Sequence, residues 1–358
     1  MSDYTLATVA QVGEFDTIID VRSPAEYADD HIPGAINCPV LDDEERIRVG
    51  TLYKQVSPFA ARKLGAVLVA RNIARHLEEK FSEQPKSWRP LVCCWRGGQR
   101  SGSFTLVLRE IGWPARRLEG GYKAWRHHVI AGLETLPARL PFRVVAGPTG
   151  SAKSRLLEAL AAQGALVLHL EELAAHKGSV LGDLPGAAQP SQKTFETKLY
   201  VALAELAERS ARAPGQPVYV EAESRRIGAL RLPEALNAAI RSAPCLFIDA
   251  SLPARVDYLL DDYAYLCSAE QLREPLLRLK ELQGRERVER WLQLAEAGDF
   301  RSLVGELLTL HYDPLYARSQ PRNFARFAGA PRYRVDELSR ASLDALAARI
   351  LDEGGRPA

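Results

Sequence analysis

The chain holds 358 residues, 46% of them apolar and 26% charged, with a formal net charge of +2. Those proportions exclude a disordered or low-complexity chain, near-neutrality excludes a globally basic coat for nucleic acid, and the length allows two domains, each with its own core. Five cysteines with no Cys-x-x-Cys pair and no Cys/His cluster at zinc spacing exclude a disulfide framework and a structural metal, so any special cysteine is a reactive one.

The N-terminus, "MSDYTLATVAQVGEFDTIID", has no basic stretch leading into an apolar one, and no run of about 18 apolar residues follows anywhere, so a cytoplasmic chain with no membrane partner is expected. Apolar, β-rich runs "TIIDV", "LVCCW" and "ARRLEG" alternate with helical segments such as 60–80 and 101–111, which predicts an α/β domain over residues 1–133. "LETLPARLPF" brings two prolines and no helical period, so 134–140 reads as a linker. From 141 onward "FRVVAGPTGSAKSRLLEALAAQGALVLHL" gives a strand, a Gly-rich turn, an amphipathic helix and a second strand, the opening of a parallel-sheet nucleotide-type fold. Strands are expected at "PVYVEAE" and "PCLFIDA", and past 252 the pattern is mostly helical, a C-terminal appendage to this second domain, 141–358.

Chemistry concentrates in two loops. In "CCWRGGQRS" strand alternation sends Cys93 and Cys94 to opposite faces. Cys93 reads as a packing residue and Cys94 as the exposed, reactive one, followed by Trp95, Arg96, Gly97, Gly98, Gln99 and Arg100. Glycines let backbone N–H groups turn inward, and the two arginines add positive charge that favours a thiolate, so the loop reads as a nucleophile in an anion cradle. In "GPTGSAKS" Gly147, Thr149, Gly150, Ser151, Ala152, Lys153 and Ser154 follow a strand and open a helix, the context of a Walker A phosphate loop. Lys153 would reach terminal phosphates and Ser154 would hold Mg²⁺. Ala152 stands where that pattern has its second glycine. "VYVEAES" is apolar up to Glu221, the candidate acidic partner of the metal, with Glu223 as the other choice.

Charge is uneven. Residues 89–126 hold eight Lys/Arg against Glu110 and Glu119, and 318–334 hold five arginines and no acid, so Arg318, Arg322 and Arg326 are candidate contacts to a polyanion.

"DVRSPAEYADDHIPGAIN" (20–37), the Cys94 loop and "LEGGYKAWR" (118–126) together resemble a rhodanese domain, whose loop cysteine carries sulfur or selenium. Five residues separate Cys94 from Arg100, one more than the commonest rhodanese loop, and this spacing also resembles Cys-based phosphatases, in which the Arg clamps phosphate as the thiolate attacks. The fold class implied is a rhodanese-like α/β domain followed by a P-loop NTPase-like parallel-sheet domain with a helical C-terminal region. That pairing, with "ERIRVGTLYKQ", "LEELAAHKGSVLG" and "VEAESRRIG", resembles the bacterial tRNA 2-selenouridine synthase family over nearly the whole chain. The resemblance implies a transferase that replaces sulfur with selenium at C2 of the wobble 2-thiouridine of a tRNA anticodon loop. Its implied co-substrates are geranyl diphosphate, which first alkylates the sulfur, and selenophosphate, with selenophosphate synthetase as a further partner. The P-loop would hold the diphosphate and Cys94 would serve selenium delivery, with Trp95 and Tyr122 in suitable surroundings for stacking an anticodon base. Two other classes stay open: a Cys-dependent phosphatase or sulfurtransferase fused to a P-loop ATPase, and a non-catalytic sulfur carrier with a nucleotide switch.

Overall fold

The computed structural model describes residues 5–354 apart from 180, 181, 183–185, 187 and 267. Two compact units divide between Gly132 and Leu133. In the first, β1 (Leu6–Ala7), β2 (Thr17–Asp20), β3 (Ile36–Asn37), β4 (Pro90–Cys93) and β5 (Arg116–Leu118) form one parallel sheet in the order β1-β5-β4-β2-β3. The helices are α1 (Pro24–Asp29), α2 (Asp43–Gln55), α3 (Pro58–His76), α4 (Gln99–Ile111) and α5 (Gly121–Thr135). Local chemistry sets their ends. Ser23 with Glu26, and Asp42 with Glu45, are reciprocal capping boxes at α1 and α2, and Ser57 caps α3 ahead of Pro58. Gly112, at φ 108°, stops α4. All four residues of β4 are buried, as a parallel strand covered on both faces requires.

The segment read as a linker is structured: α5 continues to Thr135, and Pro137–Arg139 make a 3-10 turn with Pro137 buried. The prolines there follow a helix and shape a turn.

The second unit opens with β6 (Phe142–Ala146), α6 (Lys153–Ala162), β7 (Leu166–Leu168), α7 (Leu170–Ala174), α8 (Gln192–Arg212) and β8 (Val218–Glu221). A two-stranded hairpin of β9 (Arg226–Ile227) and β10 (Leu230–Arg231) leads to α9 (Glu234–Ser242), β11 (Cys245–Ala250) and α10 (Leu252–Asp262). Helices α11 (Ala269–Leu277), α12 (Lys280–Gln283), α13 (Arg285–Glu296) and α14 (Phe300–Leu307) pack around Trp291, Leu276 and Leu303 as a helical subdomain. α15 (Asp313–Asn323), β12 (Arg332–Val335) and α16 (Arg340–Gly354) complete the unit. The sheet is parallel throughout, in the order β12-β11-β6-β8-β7, so β6 is central and the loop after it lies at the C-terminal edge of the sheet, where α/β folds bind ligands.

The last third is mostly helical, as expected, and β12 is the one strand among its described residues. Its burial alternates, Arg332 and Arg334 outward and Tyr333 and Val335 inward, so two of the five arginines in 318–334 are solvent-side residues of an edge strand, where charge discourages further pairing. Arg332 lies over the Phe247 ring, 4.5 Å from its centroid, and Arg334 pairs with Asp336.

A close approach of two turns closes the first unit around Cys94. Gly121, at φ 60°, has no room for a side chain: a β-carbon there would lie 2.2 Å from the Cys94 carbonyl oxygen and 2.5 Å from the Gly97 nitrogen. Gly50, inside α2, has nothing within 4 Å of the same position. Gly121→Ala is therefore expected to cost at least about 3 kcal/mol, read as an early urea or thermal transition of this unit, while Gly50→Ala is neutral or stabilises by about 0.5–1 kcal/mol. Equal behaviour of the two variants would contradict this packing.

Candidate functional site

The Cys94 loop leaves the end of β4 and enters α4. Contrary to the expectation of an exposed thiol, Cys94 is only 3% exposed. Its carbonyl accepts from the Tyr122 N–H at 2.8 Å and the Trp95 carbonyl accepts from the Lys123 N–H at 3.0 Å, so the Gly120–Gly121 turn folds over the loop. The sulfur sits inside that closure: the Gly98 N–H donates to Sγ at 3.3 Å, and the buried Ser101 hydroxyl lies 3.1 Å from it. Ser101, one residue past the expected loop, was missed. Cys93 is wholly buried, and burial pushes its thiol well above the ordinary range.

The loop cations are arranged differently from expectation. Arg100 donates to Glu26 at 2.7 Å instead of facing the sulfur, and Glu26 also pairs with Arg46 at 3.0 Å. Burial works to raise the Glu26 carboxyl, but the hydrogen bond and charge of Arg100, with the Ser23 N–H and Arg46, outweigh it and hold it below the usual range. Arg96, Gly98 and Gln99 are exposed. Among the described residues neither arginine hydrogen-bonds Sγ.

The motif "DVRSPAEYADD" supports this closure from below. Arg22, buried, holds Asp20 at 2.6 Å, donates to the Asp30 carbonyl at 2.7 Å and lies 3.8 Å from the centroid of the Tyr122 ring. The Tyr122 hydroxyl donates to Asp30 at 2.7 Å. Tyr122 is thus a core residue and not a base-stacking platform. Trp95, packed on it at 5.5 Å, keeps the exposed ring.

In the second unit the P-loop joins β6 to α6. Gly147 must lack a side chain, since a β-carbon would lie 2.5 Å from Ser151 Oγ, and Gly150 turns at φ 80° against Leu259. Ala152 adopts the left-handed conformation, φ 53° and ψ 36°, directly ahead of α6. That geometry favours the glycine of the Walker pattern and costs alanine about 1–2 kcal/mol. The Ala152 methyl is buried in the core beneath the sheet, which returns about 0.8 kcal/mol. The burial offsets part of the cost.

Lys153 Nζ folds back on the loop, donating to the Gly147 carbonyl at 3.0 Å and the Pro148 carbonyl at 3.4 Å, and the Ser154 hydroxyl donates to Glu171 at 2.7 Å. The loop is braced from outside. Arg255 donates to the Thr149 carbonyl at 3.1 Å while gripping Asp313 with both terminal guanidinium nitrogens, and the Gly147 N–H donates to the Tyr316 hydroxyl.

The register Val145↔Glu221 puts Glu221 beside the loop's start. One of its oxygens accepts from the Leu170 N–H at 3.0 Å, and the other is buried without a hydrogen-bond partner. Burial, then the charge of Glu171, push its carboxyl up to about 8. Glu223 is held well above the usual range by burial and by neighbouring Glu171. Hydroxyl and carboxylate oxygens of this kind suit a hard cation such as Mg²⁺, and the orphaned Glu221 oxygen fits one. No group of three or more His, Cys, Asp or Glu side chains able to hold a metal occurs among the described residues, so phosphate oxygens would have to complete the shell.

Lys153, Ser154 and Glu223 line a cavity of about 330 Å³ together with Thr149, Glu171 and Lys177, whereas Glu221, 1% exposed, lies behind that wall. An apolar recess adjoins the cavity, sharing Thr149, Leu259, Tyr263 and Tyr312 and extending among Leu303 and Leu308. The sequence reading missed Glu171, Lys177 and Tyr316. The segment 170–182 was singled out without a role for any residue, and its Val180 and Leu181 lie outside the described residues.

Arg318, Arg322 and Arg326 are exposed but do not form one cluster. Arg318 lies on α15 between Tyr316 and Ser319, which line the P-loop cavity, whereas Arg326 bridges to Pro244 at the start of β11 and lines a different recess with Phe142. No described helix is long and apolar enough to cross a membrane.

Residues 140–336 match the family described as the tRNA 2-selenouridine synthase AAA domain, and residues 6–128 match the rhodanese-like domain. A protein of Alcanivorax borkumensis named tRNA 2-selenouridine synthase is 36% identical over 332 residues, 84% of this chain and 88% of that one. Proteins of the same name from Bdellovibrio bacteriovorus and Pseudomonas fluorescens are each 33% identical, over 85% and 91% of this chain and 89% and 95% of their own. On these matches the chain belongs to the tRNA 2-selenouridine synthase family.

Proposed function

We propose that the chain exchanges sulfur for selenium at C2 of wobble 2-thiouridine in tRNA in two stages, S-geranylation at the P-loop and selenation at the Cys94 loop. In the first, the base sulfur attacks C1 of geranyl diphosphate, the C–O bond breaks and pyrophosphate departs. In the second, selenium supplied as selenophosphate displaces the geranyl thiolate at C2, and phosphorus leaves as phosphate with an oxygen from water. Selenophosphate synthetase would supply the donor.

The observation that carries this reading is the apolar recess adjoining the phosphate-loop cavity, with Thr149, Leu259, Tyr263 and Tyr312 in the walls of both. A nucleoside triphosphate needs no hydrocarbon slot beside its terminal phosphates, whereas a prenyl diphosphate does. On binding, the diphosphate would draw Lys153 from the Gly147 and Pro148 carbonyls, its present partners, and the amides at the start of α6 would receive the departing charge. Mg²⁺, held by Ser154 with Glu221 and phosphate oxygens, would add positive charge for the leaving group.

At the other loop, Gly98 N–H and Ser101 hold the sulfur under the turn of Gly120–Gly121, a shielded site in which a selenium donor is kept from bulk water. The phosphatase alternative lacks a free clamp, since Arg100 is bound to Glu26. The exposed ring of Trp95 beside the loop, on the support of Tyr122, is suited to stack the incoming base. Arg318, beside the P-loop cavity, is the one of the three C-terminal arginines we retain as an RNA phosphate contact.

Mass analysis of nucleosides after incubation with thiolated tRNA, geranyl diphosphate and selenophosphate separates the stages. Cys94→Ser is expected to leave geranylated uridine and abolish selenated uridine, and Lys153→Ala to slow geranylation by about 10²–10³-fold. The opposite pattern would overturn the division of labour. Val304→Trp, which fills the recess, is expected to raise the KM for geranyl diphosphate at least tenfold while leaving inhibition by inorganic pyrophosphate unchanged. An equal loss of both would mean that the recess does not hold the hydrocarbon.

A further inference from the structure

Between Arg46 and His76 the chain carries seven Lys/Arg and no Asp or Glu. These residues span most of α2 and all of α3, and every one of the seven is exposed. Arg46 pairs with Glu26. Arg48, Lys54, Arg62, Lys63, Arg71 and Arg75 have no carboxylate partner among the described residues. The acids of this region stop at Glu45, where they cap α2.

A single open groove of about 970 Å³ runs between this helix pair and α4, walled by Val49, Tyr53, Arg62, Val69, Gln99 and Leu106 among others. Gln99 and Arg100, at its α4 end, are the residues that leave the Cys94 loop. Tyr53 and Phe59 are exposed beside the cations.

We propose that this groove and its cationic flank bind the tRNA, with Arg48, Lys54, Arg62, Lys63, Arg71 and Arg75 on backbone phosphates and the Tyr53 ring against an unpaired base, carrying the anticodon loop to Cys94. The charge selects the occupant. The core of a protein interface is depleted in charged residues, whereas a surface of unopposed Lys and Arg matches a phosphate backbone. Exposed aromatic rings among them are the stacking platforms that single-stranded RNA uses. Location points the same way: if selenation occurs at the Cys94 loop, RNA has to cross the adjoining face. The proposal rests on that reading of the loop.

The test is fluorescence anisotropy of labelled tRNA with the full-length protein over a range of salt. The Arg62→Gln/Lys63→Gln/Arg71→Gln variant, checked for native circular dichroism, is expected to bind about 10–100-fold more weakly near 0.15 M salt, and the slope of log K against log salt is expected to fall by about 2. Tyr53→Ala is expected to weaken binding with the slope unchanged, and poly-L-glutamate at matched charge to leave tRNA bound. Wild-type affinity and slope in the triple variant would overturn this surface while leaving the two-stage reaction intact, and displacement by poly-L-glutamate would assign the face to an acidic protein instead. Absence of tRNA binding by the wild-type protein would instead defeat the two-stage reading itself.

Discussion

The Cys94 carbonyl and the backbone of Gly121 approach so closely that a β-carbon on Gly121 would lie 2.2 Å from that oxygen. From this contact the rest of the first unit's site follows. It lets the Tyr122 and Lys123 amides bind the carbonyls of Cys94 and Trp95, it sinks the sulfur beneath the loop, and it leaves the Gly98 amide and the Ser101 hydroxyl as the polar groups at Sγ. The buried Arg22–Asp20 pair adds rigidity one layer below. Removing either partner would strand a charge in a dry interior, so this support is strongly coupled to the loop it carries.

The second unit reaches a comparable result with a different device. Parallel strands deliver Ala146, Leu168 and Glu221 to one edge, and the P-loop, α7 and the residues after β8 then meet without any local sequence relationship. In the geometry described, Lys153 satisfies loop carbonyls and Ser154 satisfies Glu171. Both are the groups that a diphosphate would recruit, so binding of the proposed ligand would exchange internal hydrogen bonds for charge-assisted ones. The strain held at Ala152 is small and is partly offset by its methyl burial. The departure from the Walker pattern therefore leaves the turn itself in place.

What was legible in the sequence was local. Near-continuous apolar, β-rich runs marked the strands at "TIIDV", "LVCCW", "PVYVEAE" and "PCLFIDA", and both glycine loops announced themselves because glycine is needed where backbone turns tightly. The edge strand "RYRV" was also local, but its alternation was read as part of a basic stretch. The remaining gaps were long-range. Tyr316 reaches Gly147 across 169 residues, and Glu171 meets Ser154 only because β7 lies beyond β8 in the sheet. Strand alternation separated Cys93 from Cys94 but carried no information about the turn at Gly120–Gly121 that covers the second thiol. Arg100 likewise looked like a cation for the loop until α1 brought Glu26 to it.

The central claim is that one chain holds two anion receptors with different ligands, a prenyl diphosphate at the P-loop and a selenium-bearing phosphate at Cys94. Hydrogen–deuterium exchange of the full-length protein with each ligand tests it most directly. Geranyl diphosphate is predicted to slow exchange at Gly147–Ser154 and Val304–Leu308 and to leave Cys94–Ser101 unchanged, with selenophosphate giving the converse. Protection of Cys94–Ser101 by geranyl diphosphate, or of neither segment by either ligand, would contradict the account.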